Sequence, residues 1–429
     1  MSGPLWKNPQ LGLLLALLFA ASMWFYVQRV MIPHQVSSAA ASGSPRGSLS
    51  DLYPRWLGSR ELLLHRRDPY SPELTREIQI GYYGRALDPA RPGDPKDQQA
   101  FAYPVYVVFL MAPAIGFPFA SVQEFFRWFQ VILTAATVPL WLRAFGWRPS
   151  LAVSASLTAL TLGSFPVVQG LKLQQLTLVV GGLIAGSVVL LAGGRLLLAG
   201  ILLALATIKP QLVLPLVAWL MVWACSDLRP RRNLLWGFGG TMALLLAGAQ
   251  WLLPGWMGSF RAGLLAYRQY TGRPGSVLTS VTAPGWGAAF TVLIVLLLVF
   301  ACWRARHDAV DSPAFALVSA LVLVVTVVTI PMTAPYNQAL LLPGVLLLVR
   351  NAASIRAQND FTRAALILGG LVFSWPWLAA LALSLASVAW PGATLERVWS
   401  APLWTSMMTP VVVLFLLAPL VRTVLRGER

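Results

Sequence analysis

The chain has 429 residues, 57% of them hydrophobic and only 11% charged, a balance that excludes a water-soluble enzyme and marks a polytopic membrane protein. Its net charge of +17 comes from 28 Arg and four Lys set against 15 acids. Most of the Arg gather in short clusters between apolar runs, which is a topology signal rather than a nucleic-acid-binding surface. Cys225 and Cys302 give no disulfide framework, and His34, His65 and His307 are too scattered for a metal cluster.

The apolar runs are long enough for helices to cross about 30 Å of hydrocarbon, so an all-α architecture is expected. The first run, 11–31, follows Lys7, exceeds a signal-peptide core in length and reads as an uncleaved anchor that leaves the N-terminus in the cytoplasm. Residues 32–101 then form a large extracytoplasmic loop. Parity with Arg143, on the cytoplasmic side, allows one net crossing before it, at about 122–142. The preceding "YPVYVVFLMAPAIGFP" becomes a re-entrant or interfacial helix on the outer side. Parity between Arg195 and Arg229 makes "AGILLALATIKPQLVLPLVAWL" a hairpin of two short helices bent at Lys209-Pro210. Further crossings are expected near 234–253, 284–303, 313–331, 337–349, 364–385 and 401–421. The total is about twelve, in a single domain spanning 1–429 with both termini cytoplasmic.

Eight of the fifteen acids lie between Asp51 and Asp97. If chemistry occurs on the outer face, its base comes from this loop, with Glu124 and Glu396 as weaker candidates. Asp51 is the best placed, just beyond the first helix and ahead of an aromatic surface; it also reads as the N-cap of a juxtamembrane helix. Lys172 and Lys209 stand in apolar context toward the same face, where an ammonium needs a partner, a pathway or an anionic ligand, or snorkels to the interface. Tyr336, Asn337 and Gln338 begin another outer helix, which Asn337 also fits as a cap.

Five motifs in order resemble one family of integral-membrane enzymes: "SDLYPRW" at Asp51, "RRDPY" at Arg66 to Tyr70, "FAYPV" at 101–105, "QQLT" at 174–177 and "AGILLALATIKPQ" through Lys209. Together they are similar to the polyprenol-phosphate-sugar-dependent glycosyltransferase family 87 of the GT-C superfamily, over about residues 11–350. Val105, Gln174 and Thr177 depart from the Pro, Gly and Asn of the family pattern.

The resemblance implies transfer of a mannose-like sugar, with inversion, from a polyprenyl-phosphate carrier to an extracytoplasmic lipid or glycan acceptor. It implies Asp51 as the catalytic base. Lys209 is the first candidate for the donor phosphate, followed by Arg66, Arg67 and Lys172. Asp68, Tyr70, Tyr103, Gln175, Tyr336 and Asn337 are the candidate substrate contacts. No Asp-x-Asp pattern supports a metal, no cofactor is implied, and the Arg-rich composition suits a bacterial plasma membrane. The competing class is a transporter or flippase for a lipid or small anion. Against it, proton-coupled transport usually needs carboxylates within membrane helices, whereas almost every acid here falls in a loop.

Overall fold

The computed structural model describes residues 8–426, apart from 48, 89, 92, 271–274, 332–333, 391–394 and 396. Lys7 and Glu396 thus lie outside the described residues. Every regular element among those described is helical.

The first helix, α1 (Pro9–Ala41), is capped by Asn8, whose side chain accepts from the Leu11 amide at 3.3 Å. It does not end near Met31 as expected. Pro33 has no N–H to give, and the helix accommodates this with a π-helical turn, Val27–Met31, in which the Ile32 amide reaches back to the Val27 carbonyl. The small residues that follow are compatible with helix, so the loop begins after Ala41 rather than at 32.

That loop folds into α2 (Leu52–His65) and α3 (Pro72–Tyr83). Ser71 caps α3 at the Leu74 amide, Pro72 occupies its first turn, and Gly84 ends it at φ +80°, a conformation costly for a residue with a Cβ. The expected re-entrant segment is a short turn, α4 (Val107–Met111), packed against α2 with Val107, Val108 and Met111 fully buried.

The bundle continues with α5 (Phe119–Ala144), α6 (Leu151–Leu162) and α7 (Phe165–Leu173), the last two meeting at a 58° bend. Then come α8 (Leu176–Ala192), α9 (Leu196–Leu205), α10 (Pro210–Ser226), α11 (Leu228–Leu252) and α12 (Trp256–Tyr270). After these follow α13 (Val277–Val281), α14 (Pro284–Ala305), α15 (Pro313–Thr329), α16 (Leu342–Gln358), α17 (Asp360–Ala389) and α18 (Thr409–Arg426). Five helical stretches are long and apolar enough to cross a membrane, six if the bent α6–α7 pair is one span. The expected twelve is therefore not reached by length and composition: α8, α10, α15, α18 and the run 196–208 are apolar but shorter.

The hairpin at Lys209 forms as expected. Ala206–Ile208 tightens to a 3-10 turn, Lys209 leaves helical geometry at φ −119°, ψ 77°, and Pro210 opens α10 where its missing N–H costs nothing. Helices α9 and α11 run alongside each other in the same direction, with Gly200 against the backbone of Leu234 and Gly237, and Thr207 reaching the Met242 sulfur at 3.4 Å. Small residues let the two backbones touch, the usual route to tight packing where lipid supplies no hydrophobic drive. At the far end, the buried Arg231 guanidinium lies 3.9 Å over the Trp223 ring and donates to the carbonyls of Trp223, Arg306, His307 and Asp308. One cation thus satisfies the frayed carbonyls of two helix ends.

A side chain at Gly200 would place Cβ 2.4 Å from the Leu234 oxygen and 2.6 Å from the Phe238 nitrogen, whereas Gly239 has open space around it. Gly200→Val should lower thermal stability in detergent by about 1–3 kcal/mol, the usual cost of overpacking. Gly239→Ala should leave it unchanged or raise it by up to about 1 kcal/mol. Equal melting temperatures for Gly200→Val and the wild type would show that the α9–α11 contact is not tight.

Candidate functional site

The α7–α8 junction is where the site is assembled. Gln174 takes the left-handed conformation at φ +51°, which a Gly adopts without cost. The Gln side chain offsets that strain by accepting from the Ser50 hydroxyl and donating to the Gln123 carbonyl. The Asp51 amide donates to the Leu173 carbonyl at 3.0 Å, and the Gln130 side chain donates to the Gln175 carbonyl at 3.0 Å. The turn is thereby fastened to the loop on one side and to α5 on the other.

Gln175, only 3% exposed, is the hub. Its amide nitrogen donates to the Asp51 carboxylate, and its amide oxygen accepts from the Lys209 ammonium at 2.8 Å. Lys209 also donates to the Thr177 hydroxyl at 2.8 Å, and Thr177 donates to the Asn337 side-chain oxygen at 3.0 Å. Carboxylate, amide, ammonium, hydroxyl and amide form one continuous chain across four separate elements. Thr177 and Asn337 therefore act together, one hydroxyl serving as both acceptor and donor.

Asp51 stands at the start of α2, yet its side chain makes no capping bond there. The carboxylate instead faces Gln175 and the Tyr82 hydroxyl, the latter at 3.3 Å. Asn337 likewise bonds Thr177 within the 3-10 turn Pro335–Leu341 rather than capping a helix. The capping readings of both residues are corrected by these contacts. Burial raises the Asp51 carboxyl above the ordinary carboxylate range; Arg55 opposes this, Asp97 adds to it, and Lys209 and the Tyr82 hydroxyl oppose it. A carboxylate so placed is a better proton acceptor than an exposed one.

Asp51, Gln175, Lys209 and Asn337 line a cavity of about 520 Å3. Tyr103, Tyr336 and Asn337 form its aromatic and polar wall, Asp97 and Gln99 its loop side, and Phe260 and Leu264 of α12 its apolar rim. The Lys209 ammonium lies 5.0 Å from the Tyr336 ring and 5.7 Å from the Tyr103 ring. Tyr106 holds the hinge below by donating to the Thr207 carbonyl at 2.9 Å. The loop bearing Asp97 is stapled by Arg85 and Asp94, whose ion pair holds the Asp94 carboxyl down at about 2.

Of the residues singled out in the sequence, Asp51, Tyr103, Gln175, Lys209, Tyr336 and Asn337 meet at this cavity. Tyr70 stands behind it, donating to the Tyr103 carbonyl at 2.5 Å and packing edge-on against Phe101. The other four lie elsewhere. Lys172 is exposed, bonded to Gln28 and 5.6 Å from the Trp24 ring. Arg66 lies 5.4 Å from the Trp251 ring, Arg67 pairs with Glu61 and Glu77, and Asp68 accepts from the Tyr70 amide in a turn. Glu124 is held by Arg127 and Trp128 on the exposed face of α5. Sequence reading missed Arg55 and Tyr82 and placed Asp97 only among the loop acids; the spacing of Asp51 and Arg55, one helical turn apart, was a local signal for the first. Among the described residues, no three His, Cys, Asp or Glu side chains group to hold a metal ion.

Lys209 is 6% exposed and its direct bonds are to neutral groups. A buried cation of this kind stabilises the empty fold little. Lys209→Met should unfold within about 1 kcal/mol of the wild type in a detergent melt, the size of one net hydrogen bond. A loss of several kcal/mol would make the cation a structural element instead.

A sequence model described as glycosyltransferase family 87 matches residues 101–331, more than half of the chain. Tyr103, Gln175, Thr177 and Lys209 fall inside the match, and Asp51 and Asn337 outside it. Neither the curated proteins nor the solved structures yield a match. With its helical membrane architecture and a polar cavity built on the matched segment, the chain belongs to glycosyltransferase family 87.

Proposed function

We propose that the protein transfers a mannose-like sugar from a polyprenyl-phosphate carrier to a lipid or glycan acceptor, at the extracytoplasmic face of a bacterial plasma membrane. The observation that carries this reading is the buried Lys209 ammonium facing the cavity, one amide away from the Asp51 carboxylate. A polyprenyl-phosphate sugar presents an anion beside its anomeric carbon, and a cation fixed in a low-dielectric wall stabilises the charge that grows there as the bond breaks.

In the proposed step the acceptor oxygen attacks the anomeric carbon, and its proton passes to Asp51. The bond from that carbon to the phosphate oxygen breaks, and the carrier leaves as a phosphate monoester beside Lys209. Base and cation are held on the two ends of Gln175, an arrangement suited to in-line displacement and hence to inversion. Tyr103, Tyr336 and Asn337 are the proposed sugar contacts.

The corresponding topology counts the shorter apolar helices and α11 as crossings. It gives twelve spans in a GT-C-like arrangement with both termini cytoplasmic and the 42–101 loop outside. The Arg231 cluster then lies on the cytoplasmic side, where basic residues concentrate.

Two experiments test the proposal. Purified protein is incubated with a panel of radiolabelled polyprenyl-phosphate sugars, the mannose form included, and with nucleotide sugars, and release of carrier phosphate is scored. Release from a lipid-phosphate sugar is expected, with turnover lower by about 10² or more in Asp51→Asn at unchanged donor affinity. Transfer from nucleotide sugars alone, or an active Asp51→Asn enzyme, would overturn it. Single cysteines placed in 88–97 should react with an impermeant maleimide from outside, and cysteines in 229–232 should not; the reverse pattern would invert the topology.

A further inference from the structure

The cavity contains a second cation that the reading above does not use. Arg55 lines it, one turn of α2 beyond Asp51, with its guanidinium 4.5 Å from the Tyr103 ring. Arg55 and Lys209 thus flank the same aromatic ring. Among the described residues, neither forms an ion pair with a carboxylate. Arg55 donates to the backbone carbonyl of Asp51, whereas a guanidinium serving only to neutralise a carboxylate would take its two oxygens in a fork. Asp51 and Asp97 line the same cavity, so two carboxylates and two cations share it; once Asp51 takes up the acceptor's proton the cations are in excess, and a bound anion completes them.

We propose that Arg55 and Lys209 together form a two-cation site for the phosphate monoester released by the reaction, with Arg55 selecting the product over the donor. The inference rests on the phosphate-donor reading above. The donor's phosphate is a diester with one negative charge; once the bond to the sugar breaks, the same phosphate is a monoester approaching two charges at neutral pH. One cation matches the first state and two match the second. The second cation therefore acts most strongly where charge has developed, lowering the barrier and holding the product. A guanidinium also offers paired N–H groups to the phosphate oxygens, which an ammonium does not.

The test compares two short-chain probes on the full-length protein in detergent: farnesyl phosphate, a monoester, and methyl farnesyl phosphate, a diester. Equilibrium affinity is measured for the wild type, Arg55→Gln, Arg55→Lys and Lys209→Ala. Arg55→Gln should weaken the monoester about tenfold or more, the scale of one charged hydrogen bond. It should weaken the diester by less than about threefold on the same scale, and Arg55→Lys should fall between. Lys209→Ala should weaken both probes. Equal weakening of the two probes by Arg55→Gln, or no change in either, would overturn the assignment while leaving Lys209 and the donor reading intact. Failure of wild-type protein to bind either probe would overturn the donor reading as well. Should Arg55→Gln not fold, the monoester-to-diester ratio in Arg55→Lys decides by the same criteria.

Discussion

A single side-chain amide holds a carboxylate at one end and a buried ammonium at the other, and the site depends on that clamp. Gln175 binds Asp51 through its nitrogen and Lys209 through its oxygen. Neither charge is favourable in an apolar bundle by itself. The amide dipole gives each the complementary partial charge, yet keeps them apart so that they do not neutralise one another. A direct Asp–Lys ion pair would stabilise the empty protein and spend both groups before any substrate arrived.

Much of the architecture serves to fix that amide. The Gln174 turn is fastened by Ser50, Gln123 and Gln130, so the loop, α5 and the α7–α8 junction move as one piece. The Lys209 break is held from below by Tyr106 through Thr207, and from the side by the close approach of α9 to α11 at Gly200. Short helices are the means of placing a charge at depth. The 13 residues of 196–208 rise only about 20 Å before the break at Lys209, which lines the cavity.

Features governed by local chemistry were legible in the sequence. The break at Lys209-Pro210 follows from proline's missing N–H, and the value of Asp51 follows from the scarcity of carboxylates elsewhere. The family motifs located Tyr103 and Gln175 as well. What long-range packing decides was not legible. Nothing local says that Arg67 is taken by Glu61 and Glu77, that Lys172 rests beside Trp24 on α1, or that Arg55 turns from the Asp51 carboxylate to the Tyr103 ring. The extent of α1 was hidden for a different reason: a π-helical turn absorbs Pro33, and no residue pattern marks such a turn in advance. Two departures from the family pattern acquire physical meaning only in the fold. Gln174 replaces a Gly at a left-handed position and recovers the strain through two hydrogen bonds, and Thr177 relays Lys209 to Asn337.

The clamp is tested most directly by the pH dependence of kcat/KM in the wild type, Asp51→Asn and Gln175→Leu. A protonated Asp51 cannot accept the acceptor's proton, so activity in the wild type should fall as pH decreases through the raised pKa of this carboxyl. Removing the Gln175 amide deletes a hydrogen bond that favours the ionised form, which raises that pKa further. The expected result is an acid limb displaced to higher pH in Gln175→Leu and absent from the residual activity of Asp51→Asn. An acid limb at the same pH in all three proteins would contradict the pairing of Asp51 with Gln175 and the assignment of Asp51 as the base.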